Sequence, residues 1–226
     1  MSGNGSLRAF YLNNVDGAQS IFHVWEGGGA KGDSVTPSTY SAAYRQWMVT
    51  RLRELFAENG SPALLSVGCG NAAVEAELAA AGCTVLGVDA LEEAVTLARS
   101  KGVDVVCADV LAWTPPAGPW PVIYADGLLG HLYEPDTGVR PALKRFRSWL
   151  PPDGGTLVIS NDGPRTDADV EPHPEVPGFA WLSPAYLCRQ AKEAGFDDVS
   201  SSLFTYDRPL SGPRDRVIVT ARIGDH

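Results

Sequence analysis

Three short stretches of this chain carry residue types that could hold a nucleotide-like ligand. Ser66-Val67-Gly68-Cys69-Gly70-Asn71-Ala72-Ala73 lies between an apolar run and a helix-forming one. Glycines there let the backbone turn tightly and approach a ligand, while the next helix directs its free amides at the same place. Nineteen residues after Gly70, a second apolar run ends at Asp89, whose carboxylate can accept hydrogen bonds from both hydroxyls of a ribose. Twenty residues further, Asp109 closes a third run and stands ready for another contact. Gly68-x-Gly70 alone is weak: it fits the dinucleotide fingerprint and also a plain strand–helix turn. Three successive run ends with the expected residues favour a ligand at the switch point of an open sheet.

The elements that must position these residues follow from apolar periodicity. Residues 38–59 read as one helix, with Tyr40, Tyr44, Trp47, Met48, Leu52 and Leu55 on a broad face. Short apolar runs then alternate with amphipathic segments. Strands are expected at 63–67, 84–88, 103–108, 122–125 and 156–160, and helices at 72–81, 91–100, 141–150 and 183–194. Continuous apolar strands between helices of about ten residues indicate a parallel sheet covered on both faces. Residues 199–206 and 217–223 read as two strands with no helix between them, and their linker contains two prolines and a glycine. The expected fold is therefore α/β: a seven-stranded sheet, mostly parallel, ending in an antiparallel hairpin, with helices on both faces. Residues 1–36 read as an irregular segment or lid, and 37–226 as a single ligand-binding domain.

With these motifs in place, the sequence resembles the class I S-adenosylmethionine (SAM)-dependent methyltransferases of small-molecule type, over roughly residues 40–223. Leu64-Leu65-Ser66-Val67-Gly68-Cys69-Gly70 looks like the family's first motif. Val88-Asp89-Ala90 is similar to its ribose site, and Cys107-Ala108-Asp109-Val110 to its adenine-contacting segment. Tyr124 to Leu132, through Asp126 and His131, resembles the fourth motif, which borders the methionine end and the acceptor. Leu150-Pro151-Pro152-Asp153-Gly154-Gly155 matches the turn before the fifth strand, and the hairpin fits the family's reversed last strand. The resemblance implies a Rossmann-like fold, SAM as cofactor and methyl transfer to oxygen or nitrogen. Two positions depart from the pattern: Ser66 stands where the family usually has an acid, and Ala72 where it usually has glycine. An uncharged Ser66 leaves the methionine ammonium to other partners, among them backbone carbonyls near Gly68 and Asp126.

Transfer from a sulfonium needs alignment and exclusion of water more than a catalytic triad. A general base is optional, and His131 is the candidate; its alternative is a histidine that caps a helix or packs under the cofactor. Tyr40 and Tyr44 resemble family tyrosines that reach the methionine carboxylate, or simply pack an aromatic face. Substrate contacts are expected from Trp25 in the lid, from His131, and from Asp162 and Trp181 in the long connection 161–182. The acids of that connection, Asp162, Asp167, Asp169, Glu171 and Glu175, suit an amine-bearing substrate or a solvated loop.

A formal charge of −9 with scattered basic residues argues against nucleic acid or an anionic membrane as partner. The cluster Lys144-Arg145-Phe146-Arg147 reads as a solvated helix face. Four cysteines without metal-ligand spacing read as reduced, packed thiols, and no metal site is expected. The absence of an apolar leader and of long apolar stretches points to a cytoplasmic protein. Two other readings remain: a SAM-binding protein that transfers nothing, and an NAD-linked oxidoreductase, which the hairpin and Asp109 disfavour. The Ala/Gly/Pro-rich composition resembles bacterial enzymes of specialised metabolism.

Overall fold

A computed structural model of the protein describes residues 10–12, 20–118, 120–176 and 178–224. Helix α1 (Ile21–Glu26) and a short α2 (Pro37–Tyr40) lead into α3 (Ala42–Glu58). The alternating unit follows as β1 (Ala63–Val67), α4 (Ala73–Ala80), β2 (Thr84–Asp89), α5 (Glu92–Ser100) and β3 (Asp104–Cys107). Beyond it come β4 (Val122–Asp126), α6 (Arg140–Arg147), β5 (Thr156–Asp162), β6 (Val170–Pro172), β7 (Ala180–Leu182) and α7 (Pro184–Glu193). The hairpin β8 (Asp198–Arg208) and β9 (Gly212–Arg222) closes the chain.

The main sheet has seven strands in the order β3-β2-β1-β4-β5-β9-β8. All neighbours pair parallel as far as β5, and β9 runs antiparallel to both β5 and β8. The chain crosses to opposite sides of β1, so the order reverses between β1 and β4. Ligands of open α/β sheets bind in the crevice such a reversal leaves at the carboxyl ends of the strands. Central β1 is buried at every position because both faces are covered. On one face Leu65, Ile123, Leu157 and Val219 pack under α6 and α7; on the other Leu64, Tyr124, Val158 and Ile218 pack under α3 and α4. The predicted Rossmann-like sheet is the observed one. Among the described residues no helix is long and apolar enough to cross a membrane.

Several expectations need correction. The helix expected at 38–59 breaks at Ser41, whose Oγ accepts the Tyr44 amide at 3.2 Å as the cap of α3. Tyr40 and Tyr44 therefore sit on different helices. The terminal strands are longer than their apolar stretches, because Gly212, at φ +72°, closes a tight turn and admits Pro213 and three arginines to β9. The 161–182 connection is not structureless: β6 and β7 pair antiparallel within it. Arg145 and Arg147 tie loops rather than only facing solvent, donating to Val110 O at 3.1 Å and Gly195 O at 2.7 Å. Cys107 is exposed, not packed. Of the segment expected to be irregular, 20–36 contains α1 and leads directly into α2, while 1–9 and 13–19 lie outside the described residues.

The β6–β7 ribbon is held against the loop after β4. The Ala180 amide donates to Gly130 O at 3.0 Å, and a Cβ on Gly130 would stand 2.4 Å from Ala180 O. Gly130→Ala should therefore cost about 1–3 kcal/mol of stability, since a backbone oxygen cannot swing aside. Thermal unfolding together with limited proteolysis at residues 163–179 would show it; an unchanged melting temperature would refute the contact.

Candidate functional site

The glycine turn is built by strand-end hydrogen bonds. The amides of Gly68 and Cys69 both donate to Val88 O, at 2.8 and 3.1 Å, which draws the loop after β1 onto the end of β2. Gly68 and Gly70 have φ of +66° and +52°, in the left-handed region that favours glycine. Ala72 shares that region at φ +53°, the one described residue other than glycine to do so. Its methyl group thus sits where the turn asks for glycine. Beside Gly70 an added Cβ would meet no atom within 4 Å, so the turn faces open space.

Asp89 stands at the end of β2 next to that space. One carboxylate oxygen accepts the Gly70 amide at 2.9 Å and the other the Leu91 amide at 3.0 Å. Burial raises its pKa, and the amides of Gly70, Leu91 and Ala90 oppose that rise. Each oxygen keeps a lone pair that can accept a ligand hydroxyl. Ala90 is exposed beside it. Asp109 is also exposed and caps its own turn, accepting the Leu111 amide at 2.9 Å, while the buried Val110 follows it.

Behind the glycine turn lies a carboxyl group that the sequence reading missed. Glu75, in the first turn of α4, is only 3% exposed and accepts a hydrogen bond from Ser66 Oγ at 2.5 Å. Burial raises its pKa to about 7, against the lowering effect of the Ser66 bond, and Asp126 adds to the rise while Lys101 reduces it. The acid that Ser66 lacks is therefore present one element away. An i, i+2 glutamate pair in a short helix, Glu75 and Glu77, gave no sign of which faces inward.

At the end of β4, Asp126 is held by side chains from three other places. It accepts hydrogen bonds from Tyr124 Oη at 2.9 Å and from Tyr44 Oη at 3.3 Å, and it pairs with the Arg216 guanidinium. Tyr44 Oη also lies 2.5 Å from Ser160 Oγ, and Arg216 Nε donates to the same hydroxyl at 2.8 Å. Tyr44 is fully buried in this network, whereas Tyr40 is half-buried and outside it. Arg216 reaches on to Asp162 at 3.1 Å, and Asp162 also pairs with Arg208 and accepts from Tyr206 at 3.2 Å. Burial pushes the Asp162 carboxyl up, but Arg216, Arg208 and Arg214 together hold it below its ordinary value. Buried at 3% exposure and already balanced by two arginines, Asp162 holds the hairpin and is not offered to a substrate amine as a free charge.

The N-terminal segment is laid across the glycine turn. Asn71 Nδ2 donates to Phe22 O at 3.0 Å and to Glu26 at 2.9 Å, and Lys101 pairs with Glu26 at 2.7 Å. Trp25 packs with Leu91 and Ala94 and donates its indole N–H to Ser34 O at 3.1 Å, so it braces this segment instead of offering itself to a substrate. Tyr11 contacts Phe22, Trp25 and His131, with ring centroids 5.5, 5.7 and 5.6 Å away. Burial, then the charge of Asp89, pushes its phenol pKa up. Tyr11 Oη lies 2.7 Å from His131 Nε2. A cleft of about 350 Å³ is lined by Glu26, Gly28, Thr39, Arg45, Ala73 and Lys101, with neither Asp89 nor His131 in its wall.

Burial, assisted by the charge of His173, lowers the His131 pKa to about 3, so the ring is neutral. Its Nε2 shares a hydrogen bond with the Tyr11 hydroxyl, whose direction follows the ring tautomer, and Nδ1 has no partner among the described residues. His131 therefore presents an unused ring nitrogen, which is an N–H donor when Tyr11 donates to Nε2. Trp181 is buried beyond it, under the guanidinium groups of Arg165 and Arg214. Tyr11, Glu75 and the hairpin arginines are the residues that sequence reasoning did not single out.

A family model described as a methyltransferase domain matches residues 41–201. A "tabtoxin biosynthesis enzyme" of Pseudomonas amygdali pv. tabaci is 42% identical over 210 residues, covering 92% of this chain and 82% of that protein. Among solved structures, the fold is shared with a magnesium protoporphyrin IX methyltransferase from Synechocystis PCC 6803 with bound SAM. That match has a TM-score of 0.64 and 16% identity, over 97% of this chain and 96% of the other. A Burkholderia thailandensis 1,6-didemethyltoxoflavin-N1-methyltransferase is similar at TM-score 0.59 and 24% identity, over 87% and 94% of the two chains.

The environment of Glu75 sets a pH dependence. Its folded pKa of about 7 lies above the unfolded carboxyl value, so the stability it contributes is complete below about pH 4.3 and is lost as pH rises through 7. Glu75→Gln mimics the protonated form. The melting temperature of this variant relative to wild type should rise by several degrees between pH 5 and pH 8. A difference that does not change with pH would refute the buried carboxyl.

Proposed function

The chain belongs to the methyltransferase-domain family, and from that premise we propose that it transfers the methyl group of SAM to an oxygen or nitrogen of a small-molecule acceptor in specialised metabolism. The observation that carries the reading is Asp89, clasped by the Gly70 and Leu91 amides beside open space at the switch point of the sheet. That arrangement fits a ribose bearing two hydroxyls. Asp109 and Val110 at the next strand end suit the adenine. Gly68, Cys69 and Gly70 approach the cofactor through the backbone, and the Ser66–Glu75 pair and Asp126 lie toward its ammonium end.

Glu75 takes the part of the missing acid in this scheme. An ammonium group near Ser66 would favour the ionised carboxylate, so cofactor binding would release a proton near neutral pH. Tyr44 acts through Asp126, which it orients, and Tyr40 is left as a packing residue.

The cofactor, when bound, supplies an activated methyl group; the protein aligns the acceptor and excludes water. The N-terminal segment, with Phe22 and Tyr11, provides the cover. His131 with a pKa of about 3 is a poor proton acceptor, so we assign it to holding the acceptor through Nδ1–H, with Tyr11 fixing its tautomer. Such a site suits a nitrogen acceptor that is already neutral, or an oxygen already ionised. The negative net charge and free thiols accord with a small-molecule acceptor and with the cytoplasm.

Two measurements test this reading. Asp89→Ala should weaken S-adenosylhomocysteine binding by calorimetry at least about tenfold, as expected for lost hydrogen bonds to a charged group; unchanged affinity would sink the cofactor site. His131→Ala should slow turnover about 5- to 150-fold, the range for losing one such hydrogen bond, with little change in cofactor affinity. The wild-type pH–kcat profile should show no inflection between pH 6 and 7. An inflection there that the variant abolishes would make His131 a base after all.

A further inference from the structure

Of the acids in the connection 161–182, Asp162, Asp169 and Glu171 are already paired, while Asp167 and Glu175 are exposed and have no ion-pair partner among the described residues. Asp162 is bound by Arg208 and Arg216. Glu171 accepts from the Arg165 backbone at 2.7 Å and pairs with its guanidinium at 3.0 Å, while Asp169 accepts from Ser183 at 3.0 Å and pairs with Arg189 at 2.7 Å. The buried group left there without an ion pair is a cation. Arg214, on β9, is 8% exposed and has no carboxylate within ion-pair distance among the described residues. Its Nη2 donates to Gly163 O at 2.6 Å, and its Nε has no partner. The carboxylate whose charge reaches it, Asp162, is already paired with Arg208 and Arg216, so Arg214 has no ion pair of its own and an added anion would be favourable there.

One further donor stands beside it, and a second adjoins that donor's ring. The Arg214 guanidinium lies 4.3 Å from the Trp181 ring centroid, and the Trp181 indole N–H is buried with no acceptor. The His173 ring is 4.6 Å from Trp181. His173 Nδ1 accepts the amides of Glu175 and Val176, each at 3.1 Å, which leaves its proton on Nε2. Three N–H donors and a single unneutralised charge match a ligand group made only of acceptors. The cluster is joined to His131 by ring contacts, Trp181 to His173, His173 to Phe179 at 5.8 Å, and Phe179 to His131 at 4.5 Å.

We propose that the acceptor substrate carries a carboxylate, and that Arg214, Trp181 Nε1–H and His173 Nε2–H form the subsite that takes it. This rests on the small-molecule methyl-transfer reading and deepens it. It also reverses the expectation of an amine drawn in by the acidic loop: Asp162, Asp169 and Glu171 hold arginines in place, and one buried arginine is left for the substrate. Arginine suits the role because its planar fork meets both carboxylate oxygens, which a lysine cannot do.

The test uses a matched pair of probes, phenylacetate and phenylacetamide, titrated into the full-length protein with and without S-adenosylhomocysteine. The wild type should bind the acid at least about tenfold more tightly than the amide. Arg214→Gln should lose that preference and keep its affinity for S-adenosylhomocysteine. Should Arg214→Gln fail to fold, Arg214→Lys, which keeps the charge without the fork, should show a reduced preference, and Trp181→Phe likewise. Equal binding of acid and amide by wild type, or an undiminished preference in the folded variants, would overturn the proposal. Absent S-adenosylhomocysteine binding by wild type would instead strike the methyl-transfer reading, and the acid-to-amide ratio would still decide this one.

Discussion

Arg216 ties the reaction end of the molecule to its fold. Its side chain is 3% exposed, comes from the reversed strand β9, and touches Asp126 at the end of β4, Ser160 on β5 and Asp162 at the end of β5. A charge so deeply placed is tolerable only when paired on every side. Each partner therefore constrains the others: moving β9 would strand Asp126, Asp162 and the Tyr44 hydroxyl together. The antiparallel hairpin thus does more than complete the sheet. It delivers the cation around which two carboxylates and α3 are set, and it carries Arg208 and Arg214 to the same end.

Asp89 and Glu75 show how two buried carboxyl groups take different characters. Asp89 has backbone amides on both oxygens, which supply the hydrogen bonds a charged group needs, whereas Glu75 has the Ser66 hydroxyl and only its own backbone amide. The first is equipped to remain an anion and accept from a ligand. The second sits at the edge of ionisation near neutral pH, where a nearby charge decides its state. Local donors, more than depth of burial, separate the two.

The parts of this fold that were legible in the sequence rest on short-range rules. Apolar runs that end in Asp89 and Asp109, the glycine turn and the helixless terminal pair led directly to a mostly parallel seven-stranded sheet with an antiparallel end, because continuous burial and strand ends leave local traces. The acid behind Ser66 left none: a glutamate in a helix reads as solvent-facing unless the sheet beneath it is known. The hairpin arginines were hidden for a related reason. Pro213 and Gly212 made their stretch look like linker, and a charged strand end reads as loop until Asp126 and Asp162 are brought opposite. Tyr11 is 120 residues from His131, beyond the reach of any periodicity.

The N-terminal segment carries a kinetic consequence. Tyr11 reaches His131 and feels the charge of Asp89, and Asn71 of the glycine turn anchors Phe22 and Glu26. The segment is thus fastened to the glycine turn beside which the cofactor is proposed to sit, so a cofactor entering there would disturb the fastening. Entry and exit through that proposed site would require the segment to lift, and observed affinity would then be the intrinsic affinity scaled by the fraction of time it stands open. In such an arrangement the turnover clock can be set by departure of the spent cofactor rather than by the methyl group's flight.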